Sequence, residues 1–406
     1  MKNNQSLPDW ALDATFGIFV HWGPYSVPAW AEPTGAWGAV PPEKWFAHNA
    51  YAEWYANTIR ITNSPAAEHQ RSTYAGADYD DFLDLWKAEN WDPDDWAKLF
   101  REAGADYVIP VTKHHDGVTL WDAPGTGDRN TVARGPKRDL LHPLADAVRA
   151  EGMRFGVYYS GGLDWAFTEH PPIQSMEDVD NLRPNGDDYA RYAGAHVKDL
   201  IDRYRPSVIW NDINWPDAAK ADGSLQQLID DYKAIVPEGI VNDRWGSDIG
   251  DYLTSEYSHD LHNERGIGWE HNRGLGFSFG LNQIEDESLT LTARETARLW
   301  SDVVSRGGRL LLNVGPDASG VIPAVQRRAL EGLSGWMTEV KPHTHDRRVV
   351  EQDVVDVRTE AGEAAWYRAW RSGDDLVVIT ENDTDSVTGA GGEPVLSFAL
   401  PVEDKR

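Results

Sequence analysis

Short runs rich in β-branched and aromatic residues alternate with amphipathic segments along most of the chain, and this alternation restricts the fold more than any other feature. The predicted strands are residues 17–22, 107–115, 155–160, 207–212, 239–245, 251–257, 276–282 and 309–315. Helical periodicity falls between several of them, at residues 94–103, 142–151, 189–204 and 292–306. Alternating strands and helices indicate a parallel sheet. Eight such units favour a (β/α)8-like TIM barrel, which needs roughly 250 residues.

The competing fold is an open, doubly wound sheet. No G-x-G-x-x-G turn follows the first predicted strand, so the sequence does not support a dinucleotide-binding sheet. Several connections are short, notably between the fifth and sixth strands, and we expect the barrel to lack some of its helices. Residues 32–81 are aromatic and weakly periodic, which predicts an elaborate loop with a helix over the barrel mouth.

Towards the C-terminus the sequence no longer alternates between strand and helix patterns. Runs at residues 349–357, 364–369 and 376–380 have the character of strands, and turn-forming residues separate them. We therefore assign residues 1–337 to the barrel and residues 338–406 to a small C-terminal domain. We expect the second domain to be antiparallel and β-sandwich-like.

Charge and composition exclude several classes of function. The 406 residues carry a formal net charge of −28, which repels nucleic-acid backbones. The chain has no cysteine, so disulfides, cysteine–metal sites and a thiol nucleophile are excluded. No stretch has the apolar length of a membrane span or of a signal peptide. We expect a soluble, cytoplasmic protein that binds no membrane, although a signal peptide removed earlier would leave the same sequence.

The strand end at residues 207–214, SVIWNDIN, holds the strongest candidate for chemistry. A buried apolar run stops at Trp210, and Asp212 follows before Trp215. Active groups of a TIM barrel lie at the C-terminal ends of its strands. A carboxylate beside flat aromatic faces is typical of sugar-cleaving sites, where it stabilises positive charge at the anomeric carbon. The alternative is a strand-end aspartate that caps the next helix.

Polar and titratable residues also end other predicted strands, so we expect them to collect at one rim of the barrel. They include His21, His114, His115, Asp116, Tyr158, Tyr159, Asn242, Arg244 and Glu256. Three histidines in one pocket suit either a metal site or hydrogen bonds to sugar hydroxyls. Adjacent residues of a regular strand face opposite sides. For this reason we favour sugar binding by His114 and His115, and we predict no metal and no other cofactor.

A retaining glycosidase needs two carboxyl groups about 5–5.5 Å apart. We take Asp212 as the nucleophile. Four glutamates are candidates for the acid/base: Glu53, Glu256, Glu264 and Glu270. Glu256 ends a strand near Arg244, Glu264 and Glu270 lie in or beside a glycine-rich loop, and Glu53 lies in the long loop over the mouth.

Several motifs together resemble the α-L-fucosidases of glycoside hydrolase family 29. They are FGIFVHWGPYSVPAW, EWY, DYVIPVTKHHDGVTLWD, GVYYSGGLDW, SVIWNDINWP, VNDRWG, SEY, WEHNRGLGFSFGLN and SRGGRLLLNVGPDASG. They occur in the family's order between Phe16 and Gly320. The resemblance implies a barrel, a C-terminal β-sandwich, and hydrolysis of terminal α-L-fucose from fucosylated glycans. It also implies retention of configuration without a metal or cofactor.

The resemblance further implies a role for each matched residue. It places the nucleophile at Asp212 and, by the spacing beyond NDRWG, the acid/base at Glu256. The implied sugar-binding residues are His21, Glu53, Trp54, His114, His115, Tyr159, Trp210 and Arg244, with Phe19, Tyr51 and Phe279 around the C6 methyl. Asn214 stands where the family often has glycine.

Two other interpretations stay open. One is a related retaining glycosidase that cleaves a different terminal sugar, and the other is a fucose-binding homologue without catalysis. The presence of Asp212 with the full set of strand-end residues argues against the second. A homo-oligomer is compatible with the sequence.

Overall fold

A computed structural model describes residues 7–257 and 268–402, and its larger part is a barrel of parallel strands. The barrel strands are β1 (Phe16–Val20), β2 (Tyr107–Lys113), β3 (Arg154–Ser160), β4 (Val208–Asp212), β5 (Ile240–Val241), β6 (Leu253–Glu256), β7 (Trp269–Gly274) and β8 (Arg309–Val314). Their hydrogen-bonded order is β5-β4-β3-β2-β1-β8-β7-β6, with every pair parallel. This is the order of a TIM barrel, and it confirms the predicted fold class.

The hydrogen-bonded order begins at β5 and ends at β6, so these two strands border a seam in the barrel wall. Side chains and one backbone contact cross the seam. The backbone N–H of Asp251 donates to the carbonyl of Val241 at 2.8 Å. The carboxylate of Asp243 accepts from the backbone N–H of Thr254 at 3.1 Å and from its hydroxyl at 2.8 Å. No helix separates β5 from β6 in this described stretch, as the short connection predicts.

The prediction of the seventh strand at residues 276–282 is wrong. Strand β7 lies earlier, at Trp269–Gly274, where it pairs with both β6 and β8. Its sequence, WEHNRG, is polar, yet five of its six residues are buried. The polarity is tolerated because Glu270 forms an ion pair with Arg309 at 3.0 Å inside the barrel. The later run forms a loop that brings Phe279 to the barrel mouth.

The helices pack around the outside of the barrel or lie in its loops. They are α1 (Asp9–Asp13), α2 (Pro42–Trp45), α3 (Tyr55–Thr58), α4 (Pro65–Tyr74), α5 (Tyr79–Leu85), α6 (Pro93–Glu102), α7 (Leu141–Ala150), α8 (Met176–Asn181), α9 (Asp187–Tyr204), α10 (Asp217–Ala221), α11 (Ser224–Ile235), α12 (Ala293–Ser305), α13 (Ala324–Glu331) and α14 (Ser334–Val340). The long loop at residues 32–81 therefore contains several short helices rather than one. No helix among the described residues is long and apolar enough to cross a membrane.

Helix α6 illustrates how the local sequence builds the outer layer. The carboxylate of Asp92 accepts hydrogen bonds from the backbone N–H groups of Asp94 and Asp95, which caps the helix start. Pro93 occupies the first turn, where its missing N–H costs nothing. Trp96 and Phe100, four residues apart, are buried against the barrel.

The C-terminal module contains β9 (Arg347–Val349), β10 (Val355–Arg358), β11 (Tyr367–Ser372), β12 (Asp375–Thr380), β13 (Ser386–Gly389) and β14 (Val395–Ala399). One sheet has the order β14-β12-β11-β9 and the other pairs β10 with β13. The pairs are antiparallel except for β12 with β14. The predicted strand at residues 349–357 is split between β9 and β10. The exact domain boundary at residue 338 stays a prediction.

Candidate active site

The C-terminal ends of the barrel strands surround a hollow of about 280 Å³. This volume is close to the lower end of typical ligand pockets, roughly 300 Å³. The hollow is lined by most of the residues that the sequence singled out: Phe19, His21, Tyr51, Glu53, Trp54, His114, His115, Trp210, Asp212, Arg244, Glu256 and Phe279. The site therefore draws on every part of the barrel from β1 to the loop after β7.

Two carboxylates face the hollow, and one guanidinium joins them. Asp212 ends β4, the neighbour of β5, and Glu256 ends β6 across the seam from β5. Arg244, in the loop after β5, donates through Nη1 to Oδ1 of Asp212 at 3.1 Å and through Nη2 to Oε2 of Glu256 at 3.2 Å. Its Nε donates to the hydroxyl of Thr254 at 3.0 Å. The guanidinium also stacks 4.6 Å from the ring centre of Trp210. Arg244 thus sets the relative position of the two acids.

The two carboxylates differ in their surroundings. Oδ2 of Asp212 accepts a hydrogen bond from the hydroxyl of Tyr158 at 2.9 Å, while Oε1 of Glu256 accepts one from Tyr51 at 3.2 Å. Burial raises the pKa of Glu256, and Arg244 opposes this shift without cancelling it. A glutamate whose pKa is raised keeps its proton to a higher pH, which suits a proton donor.

Tyr159, the predicted sugar contact, does not reach the hollow. Successive side chains of a strand alternate between its faces, and Tyr159 points outward into the helix layer. Its hydroxyl lies 3.1 Å from Nδ1 of His196 on α9. Tyr158 is the inward residue of the pair, lines the hollow, and contacts Asp212. The prediction that Tyr159 lines the site is therefore wrong, and Tyr158 lines it instead.

Two buried histidines have tautomers fixed by their partners. The amide of Asn313 donates to the carbonyl of Phe279 at 2.6 Å, so its oxygen faces Nδ1 of His21 at 2.7 Å and accepts from it. The hydroxyl of Ser160 donates to a carbonyl at 2.7 Å, so it accepts from Nδ1 of His115 at 2.6 Å. In both rings Nε2 is left without a proton and can accept from a substrate hydroxyl.

The three imidazoles of the hollow are neutral at neutral pH. Burial lowers the pKa of His21 to about 3 and that of His115 to about 4. Burial, with His115 and His21 close by, holds the pKa of His114 well below its usual value. Neutral rings are hydrogen-bonding groups rather than charges. In the described part of the chain, no group of three His, Cys, Asp or Glu residues is placed to hold a metal ion.

His114 and His115 share the hollow, contrary to the expectation that they face opposite sides. Strand β2 ends at Lys113, and its register with β3 shifts between Val111 and Lys113. Both histidines therefore follow the regular strand, and their ring centres lie 4.0 Å apart. The strict alternation of a strand does not apply to them.

The other acid/base candidates have different positions. Glu53 lines the hollow, but its carboxylate accepts from the backbone N–H of Gly280 at 2.8 Å, and burial raises its pKa to about 8. Glu270 lies deeper, fully buried, where it accepts from the indole N–H of Trp210 at 2.9 Å and pairs with Arg309. Glu264 lies outside the described residues.

One side of the hollow is aromatic and apolar. Phe279 lies with its ring centre 5.0 Å from His21 and 5.6 Å from Tyr51. Phe19 packs edge-on against the same His21 at 4.8 Å. Trp54 stands 5.3 Å from His115. These rings offer a close-fitting apolar surface beside groups that bind hydroxyls.

A left-handed turn follows Asp212 directly. Ile213 has φ 55° and Asn214 has φ 81°, and a β-branched residue in this region is a genuine outlier. The side-chain amide of Asn211 holds the turn by donating to the carbonyl of Asn214 at 2.9 Å. Asparagine and glycine tolerate this conformation best, which explains why Asn214 can stand where the resembled family often has glycine.

Sequence reasoning missed several residues of the hollow. They are Trp37, Trp45, Phe46, Met176, Val179, Ile213 and Asn272. Tyr158 is among the predicted strand-end residues, and the alternation along β3 could have selected it over Tyr159. The apolar members come from loops and short helices, where no periodic pattern signals which side chains reach the hollow.

Comparisons with known proteins find similar sequences and similar structures. The sequence model of the family described as Alpha-L-fucosidase matches residues 1–341. The chain is 30% identical over 347 residues to an alpha-L-fucosidase of Dictyostelium discoideum, covering 83% of this chain and 71% of that protein.

Solved structures give the same result. A Thermotoga maritima alpha-L-fucosynthase, in complex with alpha-L-Fuc-(1-2)-beta-L-Fuc-N3, superposes with a TM-score of 0.85 at 47% identity, covering 93% of this chain and 83% of that one. The Thermotoga maritima alpha-fucosidase in complex with fucose gives a TM-score of 0.83 at 46% identity, with the same coverage.

Proposed function

The chain belongs to the alpha-L-fucosidase family, and from this premise we propose that it cleaves terminal α-L-fucose by double displacement at Asp212 and Glu256. It is a glycoside hydrolase whose substrates are fucosylated glycans. The observation that carries the proposed mechanism is the placement of two strand-end carboxylates on one guanidinium, that of Arg244.

In the first step Asp212 attacks the anomeric carbon of fucose. The bond from that carbon to the leaving oxygen breaks, and Glu256 transfers its proton to this oxygen. A covalent ester between fucose and Asp212 remains. In the second step the ionised Glu256 takes a proton from water, whose oxygen attacks the anomeric carbon and releases Asp212. Two inversions give net retention.

The surroundings of the two acids support these roles. Glu256 starts the cycle protonated, and its raised pKa extends that state towards neutral pH. Arg244 contacts both acids, so it stabilises the charge of Asp212 before attack and that of Glu256 after proton transfer. The hydroxyl of Tyr158 adds a second donor to Asp212.

The rest of the hollow suits fucose. Nε2 of His21 and of His115 can accept from sugar hydroxyls, because each Nδ1 donates to the protein. The apolar group of Phe19, Tyr51 and Phe279 fits a C6 methyl. A hydroxymethyl at this position would bury a hydroxyl without a partner, at roughly 1–3 kcal/mol, so L-galactose should bind more weakly.

The test replaces each acid in turn and follows the stereochemistry of rescue by azide. We expect Asp212→Gly to lower turnover of 4-nitrophenyl α-L-fucoside at least roughly 10³-fold, and azide to give the β-fucosyl azide from the vacated face. Glu256→Ala should accumulate the fucosyl enzyme with this activated substrate, and azide should give the α-fucosyl azide. The exposed Asp217→Gly serves as a control.

Near-normal turnover by Asp212→Gly would refute the nucleophile assignment. Rescue with α-azide formation by Glu53→Ala, but not by Glu256→Ala, would move the acid/base to Glu53. Thermal unfolding of each variant shows whether the loss is chemical rather than structural.

A further inference from the structure

One part of the lining of the hollow is entirely apolar. The lining residues there form an apolar rim: Trp37, Trp45, Phe46, Met176, Val179 and Ile213. Trp37 is 47% exposed and Met176 is 51% exposed. The charged residues Asp212, Arg244 and Glu256, in contrast, hold one another in hydrogen bonds. Large exposed apolar side chains at the mouth of a polar site indicate a surface that a ligand covers.

The apolar rim is connected to Glu256 by a continuous series of contacts. The hydroxyl of Tyr51 donates to Glu256 at 3.2 Å and accepts from the backbone N–H of Trp37 at 3.3 Å. The ring of Trp45 packs edge-on between them, 5.2 Å from Tyr51 and 5.1 Å from Trp37. A second series runs from Trp37 to Phe46 at 6.4 Å. The rim therefore begins at the proposed proton donor.

The position of Glu256 determines where the leaving group goes. A general acid must lie within hydrogen-bonding distance of the oxygen that it protonates. That oxygen carries the rest of the substrate, so the remainder extends from Glu256 towards solvent. The residues along that path are Tyr51, Trp45 and the exposed Trp37.

We propose that the apolar rim is the binding site for the leaving group, with Trp37 as its stacking platform. This inference rests on the proposed function. The six residues offer flat aromatic and aliphatic surface, and only the indole N–H groups can form side-chain hydrogen bonds. The rim therefore takes a leaving group with a flat apolar face, either an aromatic ring or the C–H face of a pyranose, and selects it by shape rather than by its pattern of hydroxyls.

The experiment compares substrates that share fucose and differ in the leaving group. They are α-L-fucosyl fluoride, which has no surface to stack, 4-nitrophenyl α-L-fucoside, and a disaccharide with fucose linked to a pyranose. We expect Trp37→Ala to lower kcat/KM about tenfold for an aryl or pyranose leaving group, as loss of one stacked ring implies. The value for the fluoride should stay within twofold of wild type.

The control variant is Leu85→Ala, since Leu85 is similarly exposed, at 56%, and does not line the hollow. Competitive inhibition by free fucose should be unchanged in Trp37→Ala. If kcat/KM falls for only one of the two larger substrates, the result supports Trp37 as the platform. It also identifies whether the platform binds an aromatic ring or a pyranose.

Two results would overturn the inference. One is an equal loss for the fluoride, which would indicate a general distortion of the site through Tyr51. The other is no loss for either larger substrate. A wild-type protein that hydrolysed none of the three would instead refute the proposed function, and this inference with it.

Discussion

At the scale of single residues, the end of β3 shows that a shift of one residue along a strand determines whether a side chain reaches the hollow. Tyr158 and Tyr159 are adjacent, chemically identical and fully buried, yet only Tyr158 reaches Asp212. The resemblance to a family motif points to Tyr159, which is the outward residue of the pair. The choice depends on which side of the strand faces the barrel interior, and the alternation with neighbouring residues sets it.

Tyr159, the outward residue of the pair, contacts His196, and this buried histidine makes the stability of the fold depend on pH. His196 donates through Nε2 to the carbonyl of Pro124 at 2.9 Å, so its Nδ1 accepts from the hydroxyl of Tyr159. Burial, helped by the nearby charge of Lys113, lowers the pKa of His196 from 6.5 to about 4. Between these values the unfolded chain binds a proton that the folded chain does not. Acid therefore favours unfolding in this window.

We expect His196→Gln to flatten the fall in stability on acidification from pH 6.5 towards pH 4. The wild type should lose roughly 1 kcal/mol more per pH unit than the variant, the linkage expected for one proton. Urea unfolding at pH 7, 6 and 5 measures this difference. The exposed His142→Gln should keep the wild-type slope, and parallel curves for wild type and His196→Gln would contradict the prediction.

At the scale of elements, the sequence predicts apolar strands well and polar strands poorly. Strands β2, β3, β4 and β8 are recognisable because their residues are mostly apolar. Strand β7 is not, since its polar side chains are paired inside the barrel, as Glu270 is with Arg309. A single sequence does not show such pairing. The same limitation left Glu270 open as a candidate acid/base, although it is buried below the hollow.

The contacts across the seam predict a role for Thr254 on β6. Its hydroxyl donates to Asp243 and accepts from Nε of Arg244, so it orients the guanidinium that joins the two acids. We expect Thr254→Val, which removes only the hydroxyl, to lower kcat/KM for 4-nitrophenyl α-L-fucoside about tenfold, the effect of roughly 1.4 kcal/mol in the transition state. Steady-state kinetics measure it.

The matched control is Thr344→Val. The Thr344 hydroxyl also donates a hydrogen bond within the protein, but to the carbonyl of Lys341 in the connection to the C-terminal module. The control should keep wild-type kinetics. An unchanged pH profile and rate in Thr254→Val would show that Arg244 is oriented without this hydroxyl.

At the scale of the whole molecule, the C-terminal module is packed against the barrel through tryptophans. Trp370 on β11 is fully buried, lies 6.0 Å from Trp300 on α12, and donates to the carbonyl of His343 at 2.8 Å. Trp336 donates to the carbonyl of Ala399 at 2.7 Å. The module therefore shares a core with the outer helices, and the sequence could not predict this because the partners are distant along the chain.

We expect Trp370→Ala to reduce the free energy of unfolding by about 3–5 kcal/mol, with KM for 4-nitrophenyl α-L-fucoside unchanged at low temperature. Calorimetry should show one transition that moves as a unit. Trp366→Ala is the control, because Trp366 is only half-buried and stacks with Arg298. It should cost about 1 kcal/mol. Equal losses in the two variants would show that the module is not part of the shared core.

The seam between β5 and β6 lies between the strands that carry Asp212 and Glu256, the two proposed catalytic acids. Asp212 ends β4, one strand away from this gap, and Glu256 ends β6 at its edge, so no strand-to-strand ladder joins them by the shorter way around the barrel. Hydrogen bonds among three side chains, those of Asp243, Arg244 and Thr254, connect the two sides instead. We expect small substitutions at these three positions to change the distance between the two carboxylates, on which retention of configuration depends. The other strands of the barrel should keep their positions.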